Sequence, residues 1–354
     1  NLFFKKLNMK KKSLNAKKKA NNLTLKYLKD PKIKKIYNIF KSNLNVNSEF
    51  SVAISGGPDS MALAFLAKCF SIINNIDINF YLVDHKLRKE SSREAKFVIS
   101  VLKKFNIKCK ILPWYGKKPT SNVQAAARKK RYYLLSKQCK KDKINNLLLG
   151  HHSGDLYENF LIRLLRGSGL KGLTSFGEKS GYNENGVIFL RPLIKCEKRE
   201  LIYISNKVFN FFIKDPSNLN ENFKRIKVRN LLNDLEKEGL DKKKFNLTIS
   251  NLKESDKSIS FYVKSNIDKN SMFFKDKNIF LLNKNFFKQP NEIILRSLTL
   301  VMRSISKNYY SARGKNVINL ILKIQDGQIS KKTTLGGCFI EKVSETILIS
   351  REND

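Results

Sequence analysis

The residues with the clearest chemical potential form the run Ser55-Gly56-Gly57-Pro58-Asp59-Ser60, which follows a short apolar stretch and opens an apolar-periodic one. Two glycines let a backbone approach a ligand closely and aim successive N–H groups at it, and a helix N-terminus adds about half a positive charge. That is a cradle for an anion such as a phosphate chain. Ser55 and Ser60 can donate hydroxyls to its oxygens, and Asp59 in the first turn can hold Mg²⁺ beside them. A plain strand-to-helix turn capped by Asp59 and Ser60 is the simpler alternative. The run fits neither G-x-x-x-x-G-K-[ST] nor G-x-G-x-x-G, so kinases, GTPases and NAD enzymes lose most of their weight.

Further polar residues stand at the same kind of position. The chain's 3 histidines are His85, after Val83-Asp84, and His151 and His152, after Gly150. Asp155 and Glu158 are three apart at the start of a helical pattern, so both carboxylates project from nearly one face, and the helix dipole keeps them ionised. They could bind Mg²⁺ or an incoming ammonium group; helix capping alone is the alternative. Gln124, Arg128 and Arg131 share another helical face, which suits phosphate or is simply solvated. Arg163 and Arg166 precede Gly167-Ser168-Gly169-Leu170-Lys171, where glycines end a helix in a basic loop fit for an RNA backbone. Arg191-Pro192-Leu193, Asp215-Pro216-Ser217-Asn218, and Arg225 with Arg229 on one helical face complete the set.

The elements that must position these residues alternate. Short β-rich runs at 50–54, 78–83, 108–112, 146–150 and 187–190 are separated by helical patterns at 60–73, 93–105, 122–139 and 156–165. This predicts an α/β fold with a doubly wound, Rossmann-like parallel sheet, whose ligand lies at the carboxyl ends of the strands. Residues 1–48 are dominated by Lys and Asn and read as a basic, partly helical extension; 49–224 form the sheet domain. Residues 225–354 read as a helical linker and a smaller, mainly helical then α+β domain, with Gly336-Gly337 in a tight turn.

A formal charge of +40, from 70 basic and 30 acidic residues in 354, points to a polyanionic partner, and nucleic acid leads. Abundant Asn and Ile indicate a composition bias that raises Lys without function, so part of the excess is bland. The 5 cysteines, Cys69, Cys109, Cys139, Cys196 and Cys338, form no C-x-x-C pair and read as reduced structural thiols. No apolar run reaches the roughly 20 residues of a membrane helix, and a cytoplasmic location is expected.

The S-G-G-x-D-S loop after a first strand resembles that of the PP-loop ATP pyrophosphatases, which split ATP between the α- and β-phosphates. Taken in order, SGGPDS, VDHKLR, NVQAAARKKRY, HH-x-x-D-x-x-E, RGSGLKGL, RPL and DPSN over residues 50–235 resemble the tRNA(Ile)-lysidine synthetase family. Thr334 to Cys338 and Ser350 to Glu352 are similar to its C-terminal domain. Gly154, Leu156 and Asn159 stand where many members have Asp, Gln and Thr, so no role is carried to Gly154.

The resemblance implies an ATP- and Mg²⁺-dependent ligase that joins L-lysine to C2 of the wobble cytidine of tRNA(Ile) with a CAU anticodon, through an adenylated tRNA; a homodimer is compatible with it. It implies ATP binding by Ser55, Gly56, Gly57, Pro58, Asp59, Ser60, Asp84, His85, Arg128 and Arg131, with Asp59 as the Mg²⁺ ligand. Lysine would be bound by Asp155 and Glu158, and RNA by Arg163, Arg166 and Lys171. Asp59, Arg131, Asp155, Glu158 and His151 would carry the chemistry. A tRNA thiolase of the same superfamily, an amidating GMP or NAD synthetase, and a non-catalytic RNA-binding protein of the same fold are the alternatives. A thiolase needs cysteines to carry sulfur or an iron–sulfur cluster, which the scattered thiols do not supply. An amidating enzyme leaves RGSGLKGL and a basic second domain unexplained.

Overall fold

A computed structural model describes residues 18–44, 46, 48–88, 90–117, 119–177, 179–180, 186–213, 224–306, 313–329 and 332–352. The chain forms two compact units that divide between Leu240 and Asp241.

The first unit begins its core before the sheet does. Helix α1, Pro31–Asn43, starts at Asp30, whose carboxylate accepts from the N–H groups of Lys32 and Ile33 at 2.9 and 3.2 Å. Ile33, Ile36, Tyr37 and Phe40 fall on one helical stripe, are buried, and join the core around Phe50, Phe65 and Phe70. The segment expected as a basic extension over 1–48 therefore supplies a core helix; Lys32, Lys34, Lys35 and Lys41 interleave the stripe and hide it in the composition.

The sheet has the strand order β3-β2-β1-β4-β6-β5. Strands β1 (Phe50–Ile54), β2 (Ile78–Asp84), β3 (Cys109–Pro113), β4 (Asn146–Leu148) and β6 (Ile188–Leu190) are parallel, and the two-residue β5 (Lys179–Ser180) adds antiparallel to β6. Both faces are covered, as a parallel sheet requires. Val52, Ile54, Phe80 and Leu82 pack into one core, while Tyr81, Leu112, Leu147 and Leu149 pack into another with Leu135 and Cys139 of the helix Val123–Lys141. The strand order reverses between β1 and β4, so the loops after these two strands flank the topological switch point. The helix Lys224–Lys237 lies within the first unit and packs on the helix Ser153–Leu164, which moves the division between units from the expected 224/225 to 240/241.

The second unit carries the helices Lys242–Asn270, Asn291–Ser306 and Gly314–Gln325 and an antiparallel sheet of five strands. Its core includes Ile294, Leu298, Val301, Ile305, Val317, Ile340 and Ile349. Gly336 and Gly337 turn the chain between Thr333–Leu335 and Cys338–Val343. No helix among the described residues is long and apolar enough to cross a membrane.

Candidate active site

Strand β1 delivers Ser55 to the carboxyl edge of the sheet, and the helix Pro58–Asn74 starts three residues later. Gly56 makes the turn at φ +83°, and a Cβ there would meet Ile213 Cδ1 at 2.6 Å and Val98 Cγ2 at 2.8 Å, so both conformation and space demand glycine. The Ile213 N–H donates to the Gly56 carbonyl at 2.8 Å, and the Ser205 hydroxyl donates to the Pro58 carbonyl at 2.6 Å, tying the loop to its surroundings. Ser60 is buried; its Oγ accepts the Ser55 N–H at 3.1 Å, donates to the Gly57 carbonyl at 3.0 Å and lies 3.1 Å from Ser55 Oγ. Ser60 thus shapes the cradle from within. The hydroxyl of exposed Ser55 donates to Ser60 Oγ in this structure and can turn from it toward a ligand.

Across the switch point, β4 brings Gly150, His151 and His152 to the same edge. A Cβ on Gly150 would stand 3.0 Å from the Asp59 carbonyl carbon and from Ser60 N, so the two loops touch backbone to backbone. His152 caps the helix Ser153–Leu164: its Nδ1 accepts the Gly154 N–H at 3.0 Å, and its own N–H donates to Asp155 Oδ2 at 3.0 Å. With Nδ1 accepting, the neutral ring carries its proton on Nε2, which faces Asp59 Oδ2 at 3.8 Å and Asp155 Oδ2 at 3.7 Å. His151 is fixed in the same tautomer, because Arg191 can only donate and its Nε lies 3.1 Å from His151 Nδ1. Burial, reinforced by the charges of Arg191, Arg128 and Arg131 against the opposing pull of Asp155, lowers the His151 pKa to about 3, so it is neutral at physiological pH.

Three carboxylates converge here. Burial pushes the Asp59 carboxyl above the usual carboxylate range, and the Asp155 charge adds to this while His152 opposes it. Burial also acts upward on Asp155, but the two histidines, the His152 N–H and Arg225 together hold it below that range. Glu158 is buried and its Oε1 is gripped by the Arg229 guanidinium from the helix Lys224–Lys237. Asp59 Oδ1 and Glu158 Oε2 are buried without a hydrogen-bond partner among the described residues. Orphaned buried carboxylate oxygens are rare, and a cation could satisfy them.

The other residues singled out from sequence divide into groups. Arg128 and Arg131 lie over the Tyr132 ring, 5.0 and 5.4 Å from its centroid, and act electrostatically on His151, so they border this site. Asp84 is spent on structure: one oxygen accepts from Lys86 N and Ser91 Oγ at 3.0 and 2.9 Å, the other from Ser92 Oγ at 2.5 Å. His85 packs edge-on against Trp114. Arg163 stands in the last turn of the helix Ser153–Leu164, about 12 Å from Asp155 by helical rise, and Arg166 and Lys171 follow that helix's end, Lys171 in the short helix Leu170–Thr174. Gly167, at φ +67°, ends that helix as its glycine signals. Asp215 to Asn218 lie outside the described residues. Arg191, Arg225 and Arg229, read from sequence only as part of a basic set, are the additions; the four-residue spacing of Arg225 and Arg229 was their signal.

The PP-loop domain family matches residues 28–236 of the chain. A curated tRNA(Ile)-lysidine synthase from Wolbachia pipientis wMel is 33% identical over 318 residues, spanning 89% of this chain and 73% of the relative. Another, from Orientia tsutsugamushi strain Boryong, is 32% identical over 318 residues, spanning 86% of this chain and 70% of the relative. Among solved structures, a U34-tRNA thiolase from Methanococcus maripaludis with its [4Fe-4S] cluster matches with a TM-score of 0.53 at 18% identity, over 63% of this chain and 78% of that one, a likeness of fold.

Proposed function

The chain belongs to the tRNA(Ile)-lysidine synthase family of PP-loop proteins, and on that premise we propose that it joins L-lysine to C2 of the wobble cytidine of tRNA(Ile) with a CAU anticodon, at the expense of ATP. The observation that carries the reading is the set of Asp59, Asp155 and Glu158 against the phosphate cradle, with two orphaned oxygens that call for cations. Two cations are at hand in this reaction, the metal of ATP and the ammonium of lysine.

The cytidine C2 oxygen attacks the α-phosphate of ATP, and pyrophosphate leaves from the cradle of Ser55 to Ser60. The adenylated ring then loses AMP to the lysine ε-amine. Mg²⁺ commonly binds through one or two carboxylates and substrate phosphates, so the orphaned Oδ1 of Asp59 suits it, and when bound it would neutralise charge on the phosphoryl group. The guanidinium of Arg131, with Arg128 beside it, stabilises the negative charge gathered at phosphorus.

Free lysine, with an ε-amine pKa near ~10.4, arrives as ammonium and must lose a proton to attack. Neither His151 nor His152 offers a free ring lone pair, since Arg191 and the Gly154 N–H occupy the two Nδ1 atoms. The histidines orient and donate. Asp155 and the free oxygen of Glu158 are then the groups that dock the ammonium and accept its proton. The lysine-rich second unit and the basic loop of Arg163, Arg166 and Lys171 serve tRNA recognition, and the tRNA substrate supports a cytoplasmic location.

The test is product analysis with labelled ATP: AMP and pyrophosphate are expected, with both tRNA and lysine required for full turnover. ADP as the main product sinks the reading. The thiolase alternative fares poorly on chemistry, because burial pushes the thiols of Cys109 and Cys196 up to about 12 and that of Cys139 up to about 11, leaving no thiolate nucleophile among them at neutral pH.

A further inference from the structure

At the carboxyl ends of β2 and β3, next to the strand that feeds the phosphate cradle, one aromatic ring stands in the open. Tyr115 is 72% exposed, more than any other large apolar or aromatic side chain among the described residues. Its backbone is nonetheless anchored. The preceding Trp114 is buried, donates its N–H to the Asp84 carbonyl at 2.8 Å and packs on His85. The following Gly116, at φ +98°, turns the chain away.

One face of the Tyr115 ring is taken by the Lys86 ammonium, 4.6 Å from the ring centroid. Lys86 is itself pinned, at φ +50°, by donating its N–H to Asp84 Oδ1 at 3.0 Å. A cation and an aromatic ring, each on a fixed backbone, are thus held together at the surface, with Lys117 exposed near by in sequence. The strand order β3-β2-β1 puts this point two strand spacings, about 10 Å, from the end of β1.

We propose that Tyr115 and Lys86 form a stacking platform for an unpaired base of the RNA substrate, a neighbour of the nucleotide being modified. Aromatic rings take up unpaired bases through their π-faces, and a lysine beside the ring attracts the adjoining phosphate. The openness of the ring favours a base on a polymer over the adenine of ATP, which small-molecule sites enclose. Tyr115 is here a positioning residue for the RNA. The inference rests on the functional reading above.

The experiment measures tRNA(Ile) binding by the full-length protein, together with fluorescence of 2-aminopurine placed beside the wobble position. Wild type should bind and quench the probe. Tyr115→Ala should weaken tRNA binding by about 10-fold and abolish the quenching, with the KM for ATP unchanged. Tyr115→Phe and Tyr115→Trp should restore both, whereas Lys86→Ala should lower the salt slope of binding by about 0.7, the share of one single-strand phosphate contact. Equal tRNA binding and quenching by wild type and Tyr115→Ala overturns the platform and leaves the functional reading intact. A raised KM for ATP in Tyr115→Ala, with tRNA binding unchanged, overturns it in favour of adenine. Wild-type protein that fails to bind tRNA at all takes the functional reading down, and this inference with it.

Discussion

Two arginines, one in each unit, hold carboxylates that project from packed helices, and they bury opposite partners. In the second unit the Arg296 side chain is only 7% exposed, while its partners Asp256 and Glu292, at 2.5 and 2.6 Å, are 24% and 49% exposed. In the first unit the arginine is the open partner: Arg229 is 34% exposed and Glu158 4%. At Arg296 two carboxylates face one guanidinium, whereas the carboxylates of the first unit have both Arg225 and Arg229 among their neighbours. Water can solvate the surplus at Arg296, so that cluster is complete as a strut. Glu158 and Asp155 are 4% and 14% exposed, so water reaches them less than the partners of Arg296, and Asp59 Oδ1 and Glu158 Oε2 keep buried oxygens without a hydrogen-bond partner among the described residues. Buried charge without full compensation is unfavourable for folding, and on the function proposed above the first unit trades stability for binding.

The largest effect is expected at Asp59. Replacing it by Asn keeps the shape and removes the oxygen charge offered to the metal of ATP. AMP formation should fall by about 100- to 1,000-fold, read by single-turnover assays with labelled ATP. Stability should move the other way. The Asp59 carboxyl is held above its unfolded value, so its ionisation opposes folding, and between those two values wild type gains stability as pH falls. Asp59→Asn should lack that gain and melt higher than wild type at neutral pH. A variant that is both inactive and less stable at pH 7 would mean Asp59 is a structural cap.

A smaller and more selective effect is expected on the helix Ser153–Leu164. Asp155→Asn should leave adenylation of the tRNA in place while the apparent lysine affinity drops by roughly 10- to 100-fold, the scale of one or two charge-assisted contacts. Glu158→Gln should show the same selectivity with an added loss of stability, because the Arg229 guanidinium keeps an acceptor but loses its charged partner. Collapse of adenylation in both, partly rescued by extra Mg²⁺ and not by extra lysine, would move these carboxylates to the metal. Labelled ATP and labelled lysine on the same variant separate the outcomes.

How much of this was legible in the sequence depended on distance along the chain. The cradle, the histidine pair and the Asp155/Glu158 spacing are local patterns, and the strands and helices that carry them follow from apolar periodicity. The strand ends agree with expectation to within a residue or two. What stayed hidden is either masked or remote. Lysines interleaved on α1 disguised a core helix as an extension. The resemblance names Asp84 among the ATP-binding residues, and what the sequence did not reveal is that Ser91 and Ser92 donate to its carboxylate from the next helix. The grip of Arg229 on Glu158 spans 71 residues, and no local pattern announces it. The arginine that closes the site is therefore the feature that required the fold.

The smallest effect is expected at Arg296, and it is the sharpest check on the contrast between the two clusters. Replacing a buried arginine by Met substitutes an apolar side chain for an ion whose desolvation offset much of its attraction. Its carboxylate partners, being 24% and 49% exposed, can turn to water. The burial that Arg296 Nη2 suffers without a hydrogen-bond partner among the described residues is relieved as well. Arg296→Met should thus change the unfolding free energy by no more than about 1 kcal/mol in either direction, measured by urea titration, with lysine transfer and ATP cleavage unaltered at saturating substrate. A loss of about 3 kcal/mol or more would show that Asp256 and Glu292 depend on the guanidinium as heavily as Glu158 does on Arg229, and the two clusters would then be of one kind. Loss of lysine transfer without loss of stability would instead tie this strut to catalysis and end the distinction from the other side.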